Sequence, residues 1–167
     1  MNKTQTRFFS ILAASLALPL VGCARPSNVV ITEPIGSSPA VAPTNASQGL
    51  LVVFTETYAN PDPSQAILEH GDGRLSYEVR DAQSGAVVAE VAAGQIGTPA
   101  VKLAPGQYRV RAESLSGSQV EATVSIQAGK TTEVYLDRSH QLPDSKLRNL
   151  AVIAPDGSFV GWRGTSG

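Results

Sequence analysis

The strongest fold signal in the sequence is Gln107-Tyr108-Arg109-Val110-Arg111-Ala112-Glu113, in which apolar and charged side chains alternate. A period of two places the apolar side chains on one face of an extended strand and the charged side chains on the other. The turn sequence Ala104-Pro105-Gly106 stands directly before this stretch. The pattern therefore predicts a strand with one buried face and one face in water.

Strand-like segments recur on both sides of this stretch, about every ten to fifteen residues. The predicted strands cover residues 50–57, 75–80, 86–91, 99–103, 107–113, 120–126 and 131–137. No segment carries a sustained apolar stripe with the 3.6-residue period of a helix. We predict an all-β fold, a small antiparallel β-sandwich of about seven strands, with its domain over residues 49–138.

Two further strand patterns, residues 150–153 and 159–162, flank Asp156-Gly157, a strong two-residue turn signal. We expect a β-hairpin there, within a C-terminal extension over residues 139–167. Gly129-Lys130-Thr131 ends like a phosphate-binding loop, but the first glycine of that motif would fall at Val124. A hairpin turn is the favoured interpretation, because strand patterns lie on both sides.

The N-terminus has the three parts of a secretory signal. Lys3 and Arg7 precede an apolar stretch, residues 8–21, and the small residue Gly22 stands before Cys23. The sequence Leu20-Val21-Gly22-Cys23 resembles the bacterial lipobox, in which the cysteine receives diacylglycerol and becomes the new N-terminus. The resemblance implies a lipoprotein signal peptide over residues 1–22, cleavage between Gly22 and Cys23, and lipidation of Cys23.

Two other interpretations of this leader stay open. An ordinary signal peptide with an accidental cysteine has the same layout. A transmembrane helix is disfavoured, because Pro19 interrupts a span of only about 14 apolar residues.

Cys23 is the only cysteine in the chain, so no internal disulfide is expected. Two or more acyl chains hold a protein stably on a bilayer, and the lipobox resemblance implies such an anchor, with the lipid membrane as partner. Ala24 follows the cysteine in place of the aspartate associated with inner-membrane retention. The resemblance therefore implies an exported protein, anchored in the outer membrane and facing the periplasm.

Residues 23–48 are rich in proline, serine, alanine and threonine and carry few large apolar side chains. Such a composition buries too little apolar surface to offset the entropy of ordering the chain. We expect a lipid-anchored, disordered linker over residues 23–48.

The charge of the chain argues against a nucleic-acid partner. Charged residues make up 16% of the sequence, acidic and basic residues are interspersed, and the formal net charge is −1. Loss of Lys3 and Arg7 with the leader changes that net charge from −1 to −3. Phosphate binding requires a concentrated basic surface, which this sequence does not encode.

The sequence offers no catalytic constellation. It has no Gly-x-Ser-x-Gly elbow, and its cysteine is the expected lipid site. His70 and His140 lie far apart, and neither has a second histidine at metal-ligand spacing. Glu69, His70 and Asp72 form a cluster that a solvated loop explains, and Asp62 adds no regular calcium-ligand spacing. We expect no enzyme activity, no metal and no cofactor.

The run from Leu103 to Ala112, followed by the run from Val124 to Val134, resembles the carboxypeptidase regulatory-like and prealbumin-like domains. These are small β-sandwiches, often tethered at bacterial surfaces. The resemblance covers residues 49–137 and implies a fold without implying a ligand. In it Tyr108 is expected to enter the core.

A fainter resemblance links Leu75-Ser76-Tyr77-Glu78-Val79-Arg80-Asp81 and Trp162-Arg163-Gly164-Thr165-Ser166 to the transthyretin-like hydroxyisourate hydrolases. That family has a catalytic histidine where this sequence has Glu78, and a tyrosine where it has Trp162. Arg163 would be left without a general base. The similarity implies a related fold, and ring-opening hydrolysis is not expected.

Two classes of function stay open. The favoured one is a membrane-anchored, noncatalytic interaction or structural module that binds an envelope protein through exposed sheet edges. The alternative is a carbohydrate-binding module, which requires two or more coplanar exposed aromatic rings. Trp162 and Arg163 are the candidate ligand contacts; Tyr58, Tyr77 and Tyr135 are expected mainly in the core. A weaker alternative is an enzyme or metal site around Glu69, His70 and Asp72.

Overall fold

The computed structural model describes residues 28–39, 47–55, 75–94, 99–113, 118–137 and 140–164. Within these ranges the chain forms ten strands and one 3-10 helix, Arg148–Leu150. The strands are β1 Val29–Gly36, β2 Gly49–Phe54, β3 Tyr77–Asp81, β4 Val87–Val91, β5 Ala100–Leu103, β6 Gly106–Glu113, β7 Gln119–Ile126, β8 Thr131–Tyr135, β9 Ala151–Ile153 and β10 Phe159–Arg163. The predicted all-β fold is confirmed.

The strands form a sandwich of two sheets. The larger sheet has the order β4-β3-β6-β7-β1-β10-β9, and the smaller has the order β5-β2-β8. Neighbours are antiparallel except for two parallel pairs, β1 with β7 and β2 with β8. The seven strands predicted for the sandwich and the two predicted for the hairpin are all present, and β1 is additional.

The core lies between the sheets and follows the period-two pattern of the strands. Tyr108, Val110 and Ala112 of β6 are buried, as the sequence predicted. Leu51 and Val53 of β2 face them from the smaller sheet as part of the same buried cluster. The apolar alternation therefore sets which side of each strand enters the core.

Tyr108 also fixes the point where the chain crosses between the sheets. β5 ends at Leu103 in the smaller sheet, and β6 begins at Gly106 in the larger one. The Tyr108 hydroxyl donates a hydrogen bond to the carbonyl oxygen of Ala104 at 2.9 Å. This is the geometry of a tyrosine corner. Burial raises the pKa of Tyr108, and the nearby Asp81 carboxylate adds to the effect, so the hydroxyl remains a donor.

The prediction of a disordered linker is wrong for residues 29–36. They form β1, which lies between β7 and β10 near the middle of the larger sheet. Ile31 and Ile35 are buried, but the register shifts between them in a β-bulge that contains Pro34. The bulge breaks the period-two alternation. Pro34 favours the interpretation of the stretch as a turn, because proline is rare in inner strands. Both effects conceal the strand in the sequence.

After β1 the chain passes to the smaller sheet, where Ser37 pairs with Thr132 of β8. β10 also approaches β8 closely at Gly161. A Cβ atom there would lie 2.5 Å from Cγ2 of Ile35 and 2.9 Å from the carbonyl oxygen of Glu133. Only glycine allows this approach. One side of the sandwich is therefore closed by β1, β8 and β10.

The turn at Gly129-Lys130 is not a hairpin turn, in contrast to the prediction. β7 lies in the larger sheet and β8 in the smaller one, so the turn crosses between the sheets. The amide of Gly129 donates to the Gln48 carbonyl at 3.0 Å, and the amide of Leu50 donates to the Lys130 carbonyl at 2.9 Å. The sequence showed two strands around a turn, but it did not show which sheet each strand joins.

The predicted C-terminal hairpin is present as β9 and β10. Its loop has three residues, Pro155-Asp156-Gly157, in place of the predicted two. The Gly157 amide donates to the Ala154 carbonyl, and the Ala154 amide donates to the Ser158 carbonyl, both at 2.9 Å. Because β10 pairs with β1, the hairpin is part of the larger sheet and not a separate extension.

Candidate functional site

The face of the larger sheet that points away from the core carries a row of charges. Glu78 of β3 lies opposite Glu90 of β4 and Arg111 of β6. Arg111 in turn lies opposite Glu121 of β7. These residues alternate along their strands with the buried ones, so the pairing of four strands aligns them across one face.

Glu78 is the centre of this row. Arg80 binds its carboxylate through two contacts, Nε to Oε1 at 2.8 Å and Nη2 to Oε2 at 2.9 Å. Nη1 of Arg111 lies 3.8 Å from the same Oε1, and Arg111 also donates to the side-chain oxygen of Gln119. The hydrogen bonds from Arg80 lower the pKa of Glu78, against the opposing effect of burial. The carboxylate therefore stays charged well below neutral pH.

An open cleft of about 610 Å³ lies over this row. Its lining includes Glu78, Arg80, Glu90, Arg111 and Gln119. This volume is in the range of small-ligand sites. Guanidinium donors stand beside carboxylate and amide acceptors, a mixture that suits a ligand with several hydroxyl groups. We call this feature the polar cleft.

Aromatic side chains gather where β2, β8 and β10 meet. Phe54 and Tyr135, paired in register on β2 and β8, stack with ring centroids 4.8 Å apart and planes at 12°. The His140 ring lies 3.9 Å from Tyr135, and Phe159 lies 5.5 Å from it. Trp162 packs edge-on against Phe159 at 5.2 Å. The five rings stack on, tilt against or meet one another edge-on, and none of them is exposed, so they do not form a coplanar exposed platform.

Polar contacts hold the edge of this ring cluster. The Tyr135 hydroxyl donates to Oε2 of Glu133 at 2.7 Å, and burial followed by this contact raises the pKa of Tyr135. Nδ1 of His140 lies 3.0 Å from Oδ1 of Asp137. These contacts hold His140 against Tyr135, at the end of β8.

The structure places Trp162 and Arg163 at the end of β10. Trp162 is half-buried in the ring cluster, and Arg163 is exposed, with its Nε 2.7 Å from Oε1 of Glu33 on β1. β1 lies between β10 and β7, and neither residue lines the polar cleft. The two predicted ligand contacts are thus adjacent to each other but separate from the cleft.

Several residues named from the sequence lie outside the described residues. They are Gly22, Cys23, Tyr58, Asp62, Glu69, His70 and Asp72. In the described part of the chain, no three histidine, cysteine or acidic side chains are grouped so that they could hold a metal ion. In the same ranges, no helix has the length and apolar character needed to cross a membrane.

Sequence reasoning missed the polar cleft. Its residues belong to four strands, and their alternation with buried residues was recognised for β3 and β6. The missing information was the pairing register, which brings Glu78 beside Arg111 and Arg111 beside Glu121. The cleft could have been predicted only from the strand order together with the pairing registers.

Comparisons with known proteins gave no match: no protein-family model, no curated protein and no solved structure is significantly similar to this chain.

Proposed function

We propose that this chain is a noncatalytic lipoprotein of the bacterial envelope, exported and anchored through acylated Cys23, whose β-sandwich is a protein-interaction or structural module. The observation that carries the proposal is the position of β1. This strand begins at Val29 and is one of the inner strands of the larger sheet. Only residues 24–28 separate it from Cys23. An anchor joined so directly to an inner strand suits a module that works at the membrane surface.

The far edge of the larger sheet supports contact with another protein. β4 ends that sheet, and its Val87 and Val88 are exposed. Apolar side chains on an edge strand are a favourable surface for an added strand or for a neighbouring protein. We propose an envelope protein as the partner, to be identified by crosslinking in intact cells.

The anchor is tested by replacing its cysteine. In Cys23→Ser cells we expect uncleaved or soluble precursor, whereas mass spectrometry of the wild-type protein should show a mature chain that begins at an acylated Cys23. Ser27→Ala, in the same short link, is the matched control and should be processed like the wild type. Equal retention of Cys23→Ser on membranes after a detergent-free carbonate wash would contradict lipid anchoring.

A second function, carbohydrate binding, is favoured by the polar cleft. Arg111 and Gln119 offer donors and acceptors close to the Glu78–Arg80 pair, as hydroxyl-rich ligands require. A glycan array should show a signal that Arg111→Ala removes and that Lys102→Ala, an exposed control on β5, leaves unchanged. An array without signal, or a signal that persists in Arg111→Ala, would exclude the cleft as a sugar site.

A further inference from the structure

The polar cleft carries more acidic than basic side chains. Three carboxylates line it, those of Glu78, Glu90 and Glu113, together with two guanidinium groups, those of Arg80 and Arg111. The net charge of its lining at neutral pH is therefore −1. A cleft in which one sign of charge dominates raises the local concentration of ligands of the opposite sign. The charge of the polar cleft thus favours a cationic ligand over an anionic one.

The centre of the cleft is neutralised from within. Both carboxylate oxygens of Glu78 accept hydrogen bonds from Arg80, at 2.8 and 2.9 Å. Such a bidentate pair is strong and holds both partners in one geometry. Because Glu78 and Arg80 occupy each other, the charges that remain for a ligand are those of Glu90, Glu113 and Arg111.

Glu90 and Glu113 are exposed carboxylates on two different strands of the cleft. Glu90 lies on β4 directly opposite Glu78, and Glu113 ends β6. Within the described residues, neither Glu90 nor Glu113 takes part in a hydrogen bond or an ion pair. Like charges directly opposite each other on neighbouring strands cost stability. A cation bound at Glu90 removes this cost.

Arg111 adds hydrogen-bond donors beside these carboxylates. A guanidinium group has five N–H donors. In the part of the chain that the structure describes, Arg111 donates to the side-chain oxygen of Gln119. Its Nη1 lies 3.8 Å from Oε1 of Glu78, which is beyond hydrogen-bond length. Arg111 therefore keeps N–H groups that can bind the hydroxyl oxygens of a ligand.

The spacing of these groups matches a ligand of at least two sugar rings. Glu78 pairs with Glu90 on one side and with Arg111 on the other. The backbones at Glu90 and Arg111 are thus two strand spacings apart, roughly 10 Å. This distance is longer than one sugar ring and is matched by two linked rings. A ligand that contacts both sides of the cleft therefore carries its positive charge and its hydroxyl groups on neighbouring units.

We propose that the polar cleft binds an oligosaccharide of amino sugars whose amino groups are free. The ammonium groups of the sugar contact Glu90 and Glu113, and its hydroxyl groups accept hydrogen bonds from Arg111. This inference rests on the carbohydrate binding proposed above and names the class of sugar. N-acetylated sugars lack the positive charge, and acidic sugars are repelled by the two carboxylates.

The test is isothermal titration calorimetry on the full chain, purified in a detergent without a sugar headgroup so that the detergent does not compete. The ligands are a trisaccharide of glucosamine and its N-acetylated form, which has the same rings without the ammonium groups. Spermidine supplies ammonium groups without hydroxyl groups. Glu90→Gln and Glu113→Gln each remove one carboxylate, and Arg111→Ala removes the donors. Asp144→Asn is the matched control, because Asp144 is exposed and does not line the cleft.

We expect the glucosamine trisaccharide to bind at least about fivefold more tightly than its N-acetylated form, which is the upper range for an exposed ion pair. Glu90→Gln should weaken the binding of the glucosamine trisaccharide about two- to fivefold, and Asp144→Asn should leave it unchanged. Added salt should reduce the preference for the free amine, since it screens exposed charges.

Four results would overturn this inference, and they separate it from sugar binding as such. Equal affinity for the two trisaccharides, lost in Arg111→Ala, refutes the free-amine preference and leaves the cleft as a sugar site. Absence of binding to either trisaccharide refutes the sugar site as well. A free-amine preference that persists in both Glu90→Gln and Glu113→Gln places the sugar outside the cleft. Spermidine binding as tight as that of the glucosamine trisaccharide, and equally weakened in Glu90→Gln, shows that the amine alone is recognised.

Discussion

Replacing Ile35 by alanine tests whether β1 belongs to the core. Ile35 is fully buried, and its Cγ2 atom lies directly under Gly161 of β10. The substitution removes three carbon atoms, and each buried methylene group is worth about 0.8 kcal/mol. The transfer term alone is therefore roughly 2.4 kcal/mol. The tight packing around Gly161 limits collapse of the cavity, so we expect a total loss of about 2.5 to 5 kcal/mol in the free energy of unfolding.

The assay is urea unfolding followed by tryptophan fluorescence. Trp162 is the single tryptophan and pairs with Gly36, next to the substituted residue. Its emission therefore reports on the contact between β1 and β10. The slope of the transition should stay unchanged while its midpoint falls, since only stability is altered.

Val30→Ala is the control on the same strand. Val30 is 55% exposed, so its replacement should change the free energy of unfolding by no more than about 0.5 kcal/mol. If Ile35→Ala were as stable as Val30→Ala, residues 29–36 would behave as the linker that their composition predicts, and the argument for β1 would fail.

Two further outcomes follow from contacts described above. Tyr108→Ala should cost about 3 to 5 kcal/mol of unfolding free energy in the same assay. Tyr108→Phe, which loses only the hydrogen bond to Ala104, should cost about 0.5 to 1.5 kcal/mol; an unaffected Tyr108→Ala protein would mean that the face of β6 is reversed. Because the folded-state pKa of Glu78 is below its ordinary value of 4.5, its ion pair with Arg80 stabilises the protein above that pH and loses its effect as the pH falls further. Melting temperatures of wild type and Glu78→Gln should therefore converge below about pH 4.5, whereas a constant difference at every pH would contradict this role.

The period-two pattern was sufficient wherever a strand has one dry and one wet face. For β6 and β7 the alternation of Tyr108, Val110 and Ala112, and of Ala122 and Val124, predicted both the strand and its buried side. The pattern failed for β1, where the bulge at Pro34 shifts Ile35 relative to Ile31. β1 is stabilised by pairing with β7 and β10. The amino-acid composition of residues 29–36 carries no information about that pairing.

The candidate sites were harder to predict than the fold, because each depends on strand pairing. Trp162 was named as a candidate ligand contact, and the structure places it half-buried against Phe159. Arg163 was the second candidate contact, and its guanidinium binds Glu33. Glu33 belongs to β1, the strand that was not predicted. The sequence therefore did not indicate that Glu33 would pair with Arg163. Arg111 and Glu78 are 33 positions apart along the chain and meet only through the register of β3 and β6.

The inner position of β1 also has a mechanical consequence. A force applied to the chain at Asn28 pulls on β1 along the axis of the strand. β7 pairs with this strand from Val29 to Ile35, and β10 holds its far end at Ile35 and Gly36. Such a load shears the ladder, so several hydrogen bonds must break at once; a load that peels an edge strand such as β9 breaks them one after another. The sandwich is thus attached through a strand that resists extraction, and the rate of forced unfolding should be set by shear of the β1–β7 ladder.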